Sequence, residues 1–199
     1  MDFTFKRNAT FVAIILLIAA ITQAVYTAMY ANGMTPPRQF LWGTEGFLFT
    51  LLAAFAGAAL VQAKRNQLAF AAITAAAVLN VVQVGVGLTM FGPFFAVAGE
   101  LEAAAPRAQG VLAFSFMVYN AAKVLLALAL IALGLAKLGE GAKALGGLSA
   151  LIGVIAFVSN ALSMALGRDF SGELPIAGGS GVIATILLAV CLFGTSDEG

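Results

Sequence analysis

Lys123 lies at the centre of a 28-residue apolar stretch, Gln109 to Ala136. Burying an ammonium at membrane depth costs roughly 2.5 to 3.5 kcal/mol on insertion scales, so such a residue marks a functional site and calls for a partner. Glu45, inside the second apolar run, is the expected counter-charge. Ser115, Tyr119, Asn120 and Lys123 share one arc of about 140° at 100° per residue. That arc must face protein, because hydroxyl, amide and ammonium groups turned to lipid would go unsatisfied at several kcal/mol each. The chemistry available to such a set is charge and hydrogen-bond recognition, together with proton exchange at Glu45.

Helical spacing also suggests which segments answer that arc. In the first run Gln23, Tyr26, Thr27 and Tyr30 form one candidate face, and in the fifth Ser149, Gly153, Asn160 and Ser163 form another. Gln23 with Tyr26, Asn80 with Gln83, and Asn160 with Ser163 each place two polar groups three residues apart, on one helix face. This echo suggests a triplicated hairpin, although independent selection for polar residues at helix interfaces produces the same pattern. The predicted ligand-binding set is Lys123, Glu45, Tyr119, Asn120, Gln23, Tyr26, Asn80 and Asn160, with no catalytic and no metal-ligating residue. Counting rise at about 1.5 Å per residue puts Glu45 and Lys123 roughly 7 to 8 Å apart in depth from one boundary and about 13 Å from the other. A snorkelling lysine spans most of the first offset.

The chain contains no histidine. That excludes bis-histidine haem, H-E-x-x-H zinc sites and imidazole-activated nucleophiles, and no cofactor is expected. Gly178, Gly179, Ser180 and Gly181 are similar to the serine motif of rhomboid intramembrane proteases. Without a general base, however, Ser180 is a weak nucleophile, and a glycine-rich helix start is the expected role. Cys191 stands alone and forms neither a disulfide nor a C-x-x-C pair. Lys and Arg are too few and too scattered for nucleic-acid binding.

The elements that must position these residues follow from composition. Of 199 residues 62% are hydrophobic and 10% charged, which predicts an all-α, polytopic membrane helix bundle forming a single integral membrane domain over residues 1–199. Six apolar runs, about 9–31, 41–63, 68–91, 109–136, 146–167 and 175–194, are each long enough to cross roughly 30 Å of hydrocarbon. They read as six transmembrane helices in three serial hairpins. The first run continues past the length of a signal-peptide core and is expected to be a retained helix. The loop from Gly92 to Ala108, with Phe94, Phe95, Val97 and Leu101 beside Glu100 and Glu102, reads as a plain connector, with a short amphipathic helix capping the site from outside as the alternative. Close-packing seams are expected at Ala56, Ala59 and Ala63 and at Gly153 with Ala156. Trp42, Tyr30 and Phe40 are placed for an aromatic belt.

Lys6, Arg7, Lys64, Arg65, Lys137 and Lys143 fall on one side of these runs, and Arg38, Arg107 and Arg168 on the other. The positive-inside rule then sets both termini in the cytoplasm of a multi-pass protein, and the Ala-rich composition suggests a bacterial inner membrane. The acidic tail Asp197-Glu198 does not change this orientation. The leading functional expectation is binding or transport of a small solute or lipid-like ligand around Lys123. A non-catalytic partner or assembly subunit of a membrane complex is the alternative. A membrane enzyme acting on lipid or quinone is the second alternative and the weaker one, since no nucleophile pair or metal cluster is present.

Overall fold

A computed structural model describes residues 3–167, 176–193 and 195. Arg168, Asp197 and Glu198, which entered the topology argument, lie outside them. Seven α-helices account for most of the chain: α1 (Phe5–Ala31), α2 (Arg38–Gln62), α3 (Gln67–Thr89), α4 (Phe91–Glu100), α5 (Ala105–Gly139), α6 (Lys143–Leu166) and α7 (Ile176–Phe193), with one 3-10 turn at Glu102–Ala104. Six of the helical segments are long and apolar enough to span a membrane. The bundle is all-helical, and the chain is an integral membrane protein of multi-pass form.

The stretch after the third run is not a plain connector: it forms the helix α4, the alternative reading, and continues α3 almost directly. Pro93 supplies no N–H to the Thr89 carbonyl and its ring crowds that position, so the helix breaks at Met90. Helix α5 starts at Ala105, ahead of the expected 109, and its 35 residues run about 50 Å. Consecutive spans pack on one another throughout, α2 on α3 and α5 on α6 as well as α1 on α2, α3 on α5 and α6 on α7, so the packing does not single out three hairpins.

Helices α1, α2, α3, α5 and α7 pack in a closed ring, each against the next, and α6 lies outside it against α5 and α7. Across the ring, no Cα of α1 or α2 comes within 8 Å of one of α5 among the described residues. Only side chains span the middle. At the end bearing Gln62 and Gln67 that interior is filled by apolar groups, with Phe49, Leu52, Phe70, Ile73, Leu126 and Leu130 all buried. The same end is tied by Asn8, whose amide donates to Gln62 Oε1 at 2.8 Å while Gln62 Nε2 donates to the Phe3 carbonyl at 2.7 Å.

The closest backbone approach is between α5 and α6. A Cβ on Gly134 would lie 2.7 Å from the Ala150 nitrogen, and one on Gly146 2.6 Å from the Leu138 nitrogen. Lipid provides no hydrophobic drive between helices, so this small-residue seam lets dispersion contacts hold α6. Gly153 extends it, as expected, against Ile131. Leu151, Val154, Ile155, Val158 and Leu162 of α6 remain exposed, consistent with a lipid-facing side.

Candidate functional site

The polar arc of α5 is buried, with Ser115, Asn120 and Lys123 each no more than 3% exposed. Each member meets a different helix. Ser115 Oγ accepts from Gln83 Nε2 of α3 at 3.4 Å, and Asn120 Nδ2 donates to Ser163 Oγ of α6 at 3.0 Å. Lys123 Nζ donates to Gln23 Oε1 of α1 at 2.7 Å and to Thr185 Oγ1 of α7 at 3.4 Å. Helix α5 is thus the polar hub of the bundle. Each pair in the sequence echo contributes one residue to it, Gln23, Gln83 and Ser163.

The Lys123 side chain leans toward the start of its helix, as helical Cβ geometry favours. Its ammonium sits 5.2 Å from the Tyr119 ring centroid, one turn earlier. Gly181 of α7 leaves the space for this, since a Cβ there would lie 3.1 Å from Lys123 Cδ. Thr185 passes its own proton to the Gly181 carbonyl at 2.7 Å, so its oxygen is free to accept from Lys123. Gln23 lies about 12 Å from the end of α1, Glu45 about 10 Å from the start of α2, and Thr185 about 13 Å from the start of α7. These similar depths let the three helices converge on one ammonium.

Glu45 is 4% exposed. It makes no contact ion pair with Lys123 within 4.0 Å; the one such pair among the described residues is Lys137 with Glu140, at 2.7 Å. This refines the expected direct or water-bridged pair. The carboxylate is flanked by the side chains of Thr22 and Gln23 and lies in the field of Lys123. Gln23, which accepts from the ammonium through Oε1, therefore lies beside both charges. The Thr22 hydroxyl is spent on the Ala19 carbonyl at 2.9 Å, and Glu45 Oε1 has no hydrogen-bond partner.

The structure gathers Lys123, Tyr119, Gln23 and Glu45. The other predicted residues have separate positions. Asn120 donates to the Phe116 carbonyl as well as to Ser163, fixing α5 to α6. Asn160 donates to the carbonyls of Ala156 and Ala177, at 2.8 and 3.2 Å, and joins α6 to α7. Asn80 turns back onto the Ala76 carbonyl at 2.9 Å, and its Oδ1 has no partner. Tyr26 packs against Trp42, with ring centroids 5.3 Å apart, one turn beyond Gln23. Thr27 and Tyr30 are exposed and stand outside the site. Ser149 pairs with Cys191 Sγ at 3.3 Å, which gives that buried thiol a packing role. Ser180 pairs with Ser159 at 2.8 Å.

Three contributors escaped the sequence reading: Thr22, Thr185 and Gly181. A signal for Thr185 was available, because it is the lone threonine of a mostly aliphatic last run. The role of Gly181 needed the Lys123 rotamer.

Two concavities lie at the ends of α1. One is lined by Phe3, Lys6, Arg7, Thr10 and Phe11, near its start. The other, about 600 Å³, is lined by Tyr26, Tyr30, Met34, Thr35, Pro36 and Arg38. Beneath the second, and outward of Gln23 and Glu45, Trp42 touches Tyr26 and Phe91, and Phe91 touches Phe95, with centroids 5.3 to 6.0 Å apart. No group of three or more metal-ligating side chains occurs among the described residues. What the arrangement offers chemically is a buried cation, a buried carboxylate with one open acceptor, and an amide beside both. No family model, curated protein or solved structure matches the chain.

Proposed function

We propose that this is a multi-pass inner-membrane protein, with both termini cytoplasmic, that binds or transports a small solute at the centre formed by Lys123, Gln23 and Glu45. One observation carries the reading: two buried opposite charges lie in each other's field without forming a contact pair, and the carboxylate keeps an open acceptor. A structural brace works best as a contact pair with every lone pair satisfied, because only then does Coulomb attraction offset desolvation. Here the charges are close enough to compensate each other's burial and open enough to meet a third group. Carriers present mid-membrane sites of this kind. The apolar filling on the cytoplasmic side and the groove on the exterior side favour entry from outside.

The snug seat of Lys123 against Gly181 and Thr185 favours a second reading, a non-catalytic subunit in which the charges only register four helices, α1, α2, α5 and α7. Ligand-induced thermal shift separates the two. A bound solute at about 100 Kd stabilises by about 2.7 kcal/mol, a rise of roughly 5 to 11 °C in a chain of this size. The solute reading expects such a shift from at least one class of small charged solute, abolished by Lys123→Met. If no solute moves the melting temperature, or the shift survives unchanged in a folded Lys123→Met, Glu45→Gln double variant, the subunit reading replaces it.

A further inference from the structure

We infer that the solute is a small monocarboxylate, and that it is admitted past Trp42 by drawing away Arg38. The inference rests on the solute reading of the Lys123 centre and adds the ligand class and the route. The route is visible in the aromatic cluster. Trp42 stands on α2 one turn outward of Glu45, and Tyr26 on α1 one turn outward of Gln23, so their contact covers the charge centre on its exterior side. Trp42 is seated on Gly87 of α3, where a Cβ would collide with its six-membered ring. Phe91 of α4 closes the third side, at 5.9 Å.

From the groove, the Arg38 guanidinium lies over both Trp42 and Phe91, at 5.4 and 5.5 Å from their centroids. It forms no ion pair among the described residues, and it lines the groove of about 600 Å³ with Tyr26 and Tyr30. The latch of the cover is therefore an exposed guanidinium held on aromatic faces by cation–π attraction.

The ligand class follows from what competes for that latch. Arg presents two parallel N–H donors that match a carboxylate bidentately, a stronger contact than a ring face. Going inward, a solute meets Arg38, then the Glu45 carboxylate with its open acceptor, then Lys123. Two cations and one anion leave the path short of one negative charge. A monocarboxylate supplies it, and a donor group elsewhere on the same molecule would satisfy Glu45 Oε1. An amine cation would instead compete with Arg38 for the rings and meet Lys123 as a like charge.

Trp42 is the only tryptophan of the chain, so its emission reports the latch directly. The full-length protein in detergent micelles would be titrated with butyrate, butylammonium and butanol, three probes of one chain length and different charge. The expected result is a saturable change in Trp42 emission with butyrate alone. Its apparent affinity should fall at least tenfold in Arg38→Gln and in Lys123→Met, and by a smaller factor in Arg38→Lys, which keeps the charge but loses the bidentate fork; a butyrate response that persists in Arg38→Lys also shows that position 38 tolerates substitution. A saturable response to butylammonium or butanol but not to butyrate overturns the monocarboxylate class and leaves the solute site standing. Equal butyrate affinity in wild type and Arg38→Gln overturns the latch. If none of the three changes emission, the inference fails, and the broader thermal-shift experiment alone decides the solute reading.

Discussion

Removing both charges at the ring centre should cost less than the sum of removing each alone, and the size of the difference can be worked from the geometry. Lys123 Nζ lies 2.7 Å from Gln23 Oε1, and the Gln23 amide also lies beside the Glu45 carboxylate. With no contact within 4.0 Å and one amide width allowed between them, the charges are taken as roughly 7 Å apart. At an effective dielectric constant of about 20, Coulomb's law gives a coupling of about 2.4 kcal/mol. A contact pair at about 4 Å would give about 4 kcal/mol, and two unrelated charges would give none. Glu45→Gln leaves a buried ammonium facing neutral groups, and Lys123→Met leaves a buried carboxylate. Each single variant should lose about 2 to 4 kcal/mol, and the double variant should recover about 2 kcal/mol of the summed loss. Reversible unfolding in mixed bicelles measures all three. A coupling below about 0.5 kcal/mol would refute the reasoning, because the two charges would then not share a field.

Other expectations follow from single contacts. Gly134→Leu should separate α5 from α6 and destabilise the fold by more than about 2 kcal/mol, since the Ala150 nitrogen lies where its Cβ would go; Gly147→Ala, which meets nothing within 4 Å, should be near neutral on the same assay. Asn120→Ala removes the bond to Ser163 and should cost about 0.6 to 1.7 kcal/mol, with Ser163→Ala nearly additive-free on top of it in a double-mutant cycle. Gly181→Val should displace the Lys123 stem and weaken solute binding at least tenfold, whereas Gly181→Ala, meeting only a flexible side chain at 3.1 Å, should cost less than about 1 kcal/mol in stability. Reporter fusions after Lys64 and after Arg107 should report opposite sides of the membrane, cytoplasmic for the first; the reverse orientation would undo the exterior assignment of the groove.

The spans were legible because hydrocarbon thickness imposes a length and an apolar content that few other structures share, and run ends fell within a few residues of helix ends. Where they missed, at the start of α5, the cause is local: Pro106 is tolerated in a first helical turn, so the helix extends through a stretch that reads as loop. The polar arc of α5 was legible for the same geometric reason, since four polar residues at helical spacing in an aliphatic run have to be answered by other helices. What answers them was only partly readable. Asn80, Asn160 and Gln23 look alike as amides in apolar runs, and sequence does not say that two bond to neighbouring carbonyls while the third reaches the ammonium. The shared amide depends on side-chain reach across the ring, set by how five helices pack. Gly134 and Gly146 were missed as a seam because glycine is common throughout this chain and only their facing positions single them out.

The central claim is that the Lys123, Gln23 and Glu45 centre is a site that a solute reaches from outside, and access at Gln23 tests it most directly. In a Cys191→Ser background, Gln23→Cys would be exposed in sealed vesicles of known orientation to a membrane-impermeant maleimide from each side. The proposed orientation predicts labelling from the exterior side, accelerated severalfold by Trp42→Ala, with little from the opposite side, where Phe49, Leu52, Leu126 and Leu130 fill the interior. A cysteine that stays unmodified from both sides, with or without Trp42, would contradict the account and leave a sealed brace in its place.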